Sequence, residues 1–173
     1  MDRDVVACEQ PDAAADLRTR DGFEAWVWPH WSAMANFATR LVGSADGEDV
    51  GQDALAVAWR KRNQFDMGRG SARSWLLALV ADQARKLHRR SLRRGGRLSP
   101  SSPPDPHVER SVDLERALQQ LSARQKLAVD LYYYLDLPIA EVAKVMRCSE
   151  GTAKSTLADA RARLHVYLGD DLR

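Results

Sequence analysis

A run of thirteen residues, Gly95 to His107 (G-G-R-L-S-P-S-S-P-P-D-P-H), holds four prolines and two glycines. Proline fixes φ and has no amide to donate, so neither a helix nor an internal strand continues through such a stretch. Its composition reads as an extended, solvated linker. A chain of 173 residues cut at this point must therefore fold as two small domains, each near the lower limit for an independent core. The expected organisation is a disordered Asp- and Ala-rich leader over 1–20, a first domain over 21–94, the linker over 95–109 and a second domain over 110–173.

Both domains carry helical periodicity, and no stretch alternates as a strand would. In the first, Phe23, Trp26, Val27, Trp31, Met34, Phe37 and Leu41 recur close to every 3.6 residues. Pro29 interrupts them, so the pattern predicts a short first turn and then a helix from about Pro29 to Leu41, ended by Gly43. Trp26, Trp28 and Trp31 are expected to pack this helix. Asp46 is placed to cap a second helix whose apolar set includes Val50, Ala54, Leu55, Val57 and Trp59. F-D-M-G-R-G at 65–70 is a loop, and Ser71 caps a third helix that buries Trp75, Leu76, Leu79, Val80 and Leu87. In the second domain Asp113 opens a helix with Leu114, Ala117, Leu118 and Leu121 inward. Ser122 and Gln125 form a capping box for the next, which is buried through Leu127, Val129, Leu131 and Tyr134. Pro138 opens a helix over 139–146, Arg147-Cys148-Ser149 is a turn, and Ser149 caps a last helix with Ala153, Leu157, Ala160 and Leu164 inward. The fold class is all-α.

The net charge of +2 hides a strong segregation. Arg85, Lys86, Arg89, Arg90, Arg93, Arg94 and Arg97 follow one another without an intervening acid, a surface suited to phosphates. Asp46, Glu48, Asp49 and Asp53 make the preceding helix acidic, with Asp49, Gln52 and Asp53 outward and suited to a basic protein partner. Cys8 and Cys148 have neither metal-site spacing nor the density of a disulfide framework. The charged first residues lack the apolar core of a signal peptide, and the apolar run Trp75–Ala81 is too short to span a bilayer. A reducing cytoplasm is the expected compartment. No Ser/His/Asp, Cys/His, paired-carboxylate or metal-ligand constellation appears, so the expectation is a binding protein with no catalytic residues, metal or cofactor.

A helix of about nine residues, a tight turn and a second capped helix form a helix-turn-helix. Ala140, Ala143 and Ala153 are small enough for the helices to cross closely. Glu150, Thr152, Lys154, Ser155 and Thr156 supply the short polar side chains that a helix entering the major groove presents. The loop F-D-M-G-R-G-S can hold an unstacked base, with Phe65 stacking or lining the pocket.

Residues 117–164, with L-S-A-R-Q at 121–125, A-E-V-A at 140–143, G-T-A-K-S at 151–155 and A-R-A-R-L at 160–164, resemble the −35-binding domain of sigma factors of the small, extracytoplasmic-function type. G-E-D-V-G-Q-D-A-L-A-V-A-W-R at 47–60 is similar to the helix with which sigma factors grip the β′ coiled coil of RNA polymerase. F-D-M-G-R-G-S-A-R-S-W-L-L at 65–77 with A-R-K-L-H-R-R at 84–90 is similar to the loop and helix that open and read the −10 element. The resemblance covers roughly residues 23–168. It implies core-polymerase binding, through the β′ and β subunits, by Asp49, Gln52, Asp53 and Arg60. It implies −10 contacts by Phe65, Arg69, Ser71, Asp82, Gln83, Lys86, Arg89 and Arg90, and −35 contacts by Thr152, Lys154, Ser155, Thr156, Asp159, Arg161 and Arg163. Promoter DNA is the implied nucleic acid, an anti-sigma factor or an activator a further implied partner, and a monomer the implied free state. The rival readings are a dimeric helix-turn-helix regulator and a sigma-like protein that binds polymerase or an anti-sigma factor without initiating.

Several residues depart from the family's pattern. Thr156 and Asp159 stand where arginines are usual, Ala153 replaces valine, and Tyr132 replaces an arginine that touches the DNA backbone. Asp82 replaces an asparagine of the −10-reading face, Gly51 a large apolar residue of the polymerase-gripping helix, and Arg147 the usual glycine of the turn. These changes imply weaker −35 binding.

Overall fold

The computed structural model describes residues 16–93 and 109–168, and all regular structure among them is helical. Of the leader expected over 1–20, residues 1–15 lie outside the described residues, while Arg20 already opens α1; of the linker expected over 95–109, residues 95–108 lie outside them and Glu109 opens α5. The Thr19 hydroxyl accepts the Gly22 amide at 3.2 Å and caps α1, Arg20–Val27, so the short first turn expected from sequence is a full helix. Pro29 sits in a single 3-10 turn, Trp28–His30, where its missing amide costs no helical bond, and α2 runs Trp31–Val42.

Gly43, at φ 87°, ends α2 in a conformation that only glycine adopts without strain. It leads directly into α3, Ser44–Lys61. Asp46 is therefore not the cap it was expected to be. It lies inside the first turn, where its carboxylate still complements the helix dipole. The α2–α3 crossing is tight: a Cβ on Gly47 would stand 2.7 Å from the Thr39 Cα. Gly51 has no such excuse, because a Cβ there would meet only the Trp31 ring at an ordinary 3.7 Å. Gly51→Ala is accordingly expected to raise stability by about 1 kcal/mol, the helix-propensity difference. A urea-unfolding midpoint that fails to rise would show an unseen clash.

The loop at 62–71 contains two 3-10 turns, Arg62–Gln64 and Met67–Arg69, and the Ser71 hydroxyl accepts the Ser74 amide at the start of α4, Ala72–Arg93. Helices α2, α3 and α4 pack on one another around Met34, Phe37, Ala54, Leu76 and Val80, all fully buried. Trp28 belongs to none of this: it is 77% exposed, contrary to the expectation that it packs the first helix. The proline turn rotates it off the face that carries Trp26.

In the second domain α5 spans Glu109–Gln119, with Ala117 buried but Leu114 exposed rather than inward. Ser122 and Gln125 form the reciprocal capping box of α6, Ala123–Val129. The chain then widens into a π-helical turn over Asp130–Tyr134. That turn inserts a residue and shifts the helical phase, so Tyr134 points outward instead of being buried while Leu131, Leu135 and Leu137 take the core. Helix α7, Ile139–Met146, follows Pro138, and α8, Glu150–Leu168, follows Ser149. Helix α8 packs on α5, α6 and α7 through Ala153, Leu157 and Ala160.

The two domains touch. Helix α4 packs against α7, and the Arg40 Nε donates to the Asp130 carboxylate at 2.5 Å while its guanidinium lies 4.7 Å from the centre of the Tyr134 ring. Asp130 is only 7% exposed. Burial pushes its carboxyl above the usual carboxylate range, and the hydrogen bond and charge of Arg40, with the charge of Lys126, work against that shift.

Candidate nucleic-acid and partner-binding surfaces

Three exposed surfaces collect the residues singled out by sequence. On α3, Asp49, Gln52, Asp53 and Arg60 are all exposed, at spacings that set them along one side of the helix. Beside this polar stripe lies an apolar groove with a volume near 660 Å³, lined by Phe23, Val27, Trp28, Trp31, Leu55 and Trp59, with Gln52 on its edge. Sequence reasoning assigned these tryptophans to the core and missed the groove. The signal lay in the clustering of Trp26, Trp28 and Trp31 around Pro29, where more aromatic surface is present than one helix face can bury. Trp59 is held edge-on to Phe23, ring centres 5.1 Å apart, and the Arg62 guanidinium lies over its other face at 3.8 Å.

The second surface is the 65–70 loop and α4. Asp66 shapes the loop by accepting the Gly68 amide at 2.9 Å and pairing with Arg69 at 3.3 Å. Phe65 is half-buried, its ring 4.9 Å from that of Trp26 and 5.5 Å from that of Trp75, so the aromatic cluster anchors the loop while Met67 and Arg69 stand exposed. Along α4, Lys86, Arg89, Arg90 and Arg93 are exposed. Gln83 is buried and accepts from Lys86 at 3.3 Å. Asp82 is half-buried between two guanidinium groups, that of Arg85 at 2.5 Å and that of Arg147 from the second domain.

The third surface is α7, the turn and α8. Arg147 closes α7 in the left-handed conformation, φ 53° and ψ 52°, and the Cys148 amide reaches back to the Ala143 carbonyl at 3.0 Å. Ser149 then caps α8 by accepting the Thr152 amide at 3.1 Å. Glu150, Thr152, Lys154, Ser155 and Asp159 are exposed along the first turns of α8, with Thr156 half-buried. The Ser155 and Thr156 hydroxyls both donate to the Thr152 carbonyl, at 3.0 and 2.7 Å. Arg161 and Arg163 are exposed further along the helix, and Arg163 reaches the Gln120 carbonyl at 3.4 Å. Among the described residues no group of His, Cys, Asp or Glu side chains could hold a metal ion, and no helix is long and apolar enough to cross a membrane.

Comparison with known proteins finds the same division. Residues 27–94 match the family model for Sigma-70 region 2, and residues 111–164 that for Sigma-70, region 4. The chain is 32% identical over 135 residues to the ECF RNA polymerase sigma factor SigM of Mycobacterium tuberculosis, a match that covers 73% of this chain but 66% of that relative's length. It is 30% identical over 151 residues to SigL of the same organism, covering 80% of this chain and 84% of SigL. Among solved structures it resembles the sigma factor RpoE of Bartonella quintana in complex with the anti-sigma factor NepR. There the TM-score is 0.70 and the identity 29%, over 88% of this chain and 99% of that one. Two sigma-70 regions in this order, on a fold shared with a solved sigma factor, place the chain in the extracytoplasmic-function family of sigma factors.

Proposed function

We propose that this protein binds core RNA polymerase in the cytoplasm and directs it to promoters as a non-catalytic specificity subunit, reading a −10 and a −35 element. The observation that carries this reading is the start of α8. It is capped by Ser149 and buries only Ala153 in its first turn, so that Thr152, Lys154 and Ser155, with the half-buried Thr156, present short polar side chains for entry into a major groove. Arg161 and Arg163 supply phosphate contacts that fix its register.

The first domain supplies the other functions. Asp49, Gln52, Asp53 and Arg60 beside the Trp28–Trp59 groove combine a polar rim with an apolar centre, the composition of a protein interface. Their partner in this reading is the β′ coiled coil, with β engaged elsewhere. The exposed bases of α4 engage the backbone next to the −10 element, and the Phe65–Ser71 loop takes up an unstacked base there. An anti-sigma factor, the class of partner bound to RpoE in its solved complex, would act on this chain by covering these faces.

The test is reconstitution with core polymerase on a genomic DNA pool, mapping every transcript start. Discrete starts that share upstream sequences at both spacings are expected. Failure to associate with polymerase would refute the proposal, and association without starts would favour a non-initiating sigma-like protein.

Asp159 is exposed on α8 and carries negative charge towards the backbone that the helix must approach. Asp159→Arg is expected to strengthen −35 binding and to steepen its salt dependence by about one unit of slope for the added phosphate contact. An unchanged affinity in a fluorescence titration would mean that this face does not meet DNA.

A further inference from the structure

We propose that the apolar groove between α1 and α3 is a self-docking surface: in the free protein a second copy of this chain covers it, each copy seating its Trp28 in the other's groove. The groove has a volume near 660 Å³, with Phe23 and Val27 supplied by α1, Trp28 by the proline turn, and Leu55 and Trp59 by α3. Trp28 is 77% exposed, although it carries the largest apolar side chain available to a protein. An exposed apolar patch of this kind marks an interaction site. Pro29 follows it and fixes φ, so the turn is stiff and little conformational freedom is lost when the indole is bound. Knob and hole stand side by side on one face of the molecule. A two-fold axis requires that arrangement, because an isologous interface uses the same patch on both sides and each Trp28 meets the hole beside the other.

Charge favours a second copy over a partner of one sign. Arg20 and Glu24 stand on the edge of the groove one helical turn apart, paired with each other at 2.7 Å and with side chains 83% and 59% exposed. This edge is neutral as a whole and offers both signs at a fixed spacing. Across a two-fold axis each Arg20 faces the second copy's Glu24, and two intrahelical pairs become one ring of alternating charge. The acids that suit a basic partner, Asp49 and Asp53, lie on α3 outside the groove lining. Covering Trp28, Trp31 and Trp59 of both copies buries roughly 1,000 Å², from 150–250 Å² for a fully covered aromatic ring and less for the half-buried ones. That is the low end for a specific interface, so the pairing is reversible, with a Kd on the order of 10 μM. What it withholds rests on the function proposed above. Gln52, Leu55 and Trp59 belong to the surface that docks polymerase, so the dimer is a storage form that polymerase takes apart. The free state is thus a monomer–dimer equilibrium and not the monomer that the family resemblance implies.

The test is sedimentation velocity of the full chain, without polymerase, from about tenfold below that Kd to about tenfold above it. The variants are Trp28→Ala, Arg20→Glu, Glu24→Arg and the double charge swap. All three sites are exposed, so the fold is not at risk. The wild type is expected to pass from monomer to dimer across the range. Trp28→Ala should raise Kd at least about thirtyfold, the scale of a hot-spot tryptophan. Either single reversal sets like charges opposite each other and should abolish the dimer, while the double swap should recover it to within about threefold. Core polymerase mixed with the wild-type dimer is expected to yield complexes that hold one copy of this chain. A wild type that stays monomeric throughout, or a dimer untouched by Trp28→Ala, would overturn the pairing. Tighter polymerase binding after removal of residues 1–15 would then assign the groove to the leader. A dimer that follows every expectation while no variant binds polymerase would leave the pairing standing and overturn the proposed function instead.

Discussion

Replacing Lys86, Arg89 and Arg90 together by alanine is expected to weaken promoter DNA binding by the polymerase-bound protein about a hundredfold, from roughly 1 kcal/mol per lost solvent-exposed cation–phosphate contact. It should also lower the salt slope of log K by about three, close to one condensed counterion per phosphate. All three side chains are exposed near the end of α4, and none contributes to the buried core. The variant should therefore keep its helicity and its affinity for core polymerase, which the proposed function assigns to α3. That separation makes the experiment informative. An affinity loss whose salt slope does not change would mean that these residues act on something other than the phosphate backbone. Loss of polymerase binding instead would move the docking surface onto α4.

The contrast between α3 and α4 shows what the sequence made legible and what it did not. Caps depend on residues a few positions apart, so the Ser122–Gln125 box and the Ser71 and Ser149 caps could be read directly. The exposed stripe of Asp49, Gln52 and Asp53 follows from periodicity for the same reason. Periodicity marks a face as apolar, however, without saying what covers it. Trp28 and Leu114 are apolar at helical spacing and yet exposed, because no second element lies over them. Tyr134 was misplaced by a one-residue change of phase at the π-helical turn, which no local propensity announces. Long-range pairing was the least legible. Nothing near Asp82 or Asp130 in the sequence points to Arg147 or Arg40, and the family resemblance marks Asp82 and Arg147 only as oddities.

Trp26→Ala is expected to cost the first domain 3–5 kcal/mol, the range for deleting a buried aromatic side chain, and to release the 65–70 loop in addition. Trp26 is 3% exposed, and its ring lies 5.9 Å from Phe23, 4.9 Å from Phe65 and 5.9 Å from Trp75. It thereby ties α1, the loop and the start of α4 to one point. Removing it leaves a cavity that Phe23 and Trp75 cannot close from opposite sides without moving their helices. Against a total of about 5–15 kcal/mol for a domain, such a loss leaves little reserve. The predicted order of events is specific: amides of Asp66 to Gly70 should exchange hydrogen faster under native conditions, before any global unfolding, because Phe65 loses the surface on which it rests. Urea denaturation should show a lower midpoint with an unchanged slope. Promoter opening should then suffer, since the loop rests on this ring, and polymerase binding should weaken as well, since Phe23 of the docking groove packs on it. A loss below about 1 kcal/mol, within the range of an ordinary surface change, would show that the aromatic cluster re-forms without Trp26 and that the loop is anchored from elsewhere.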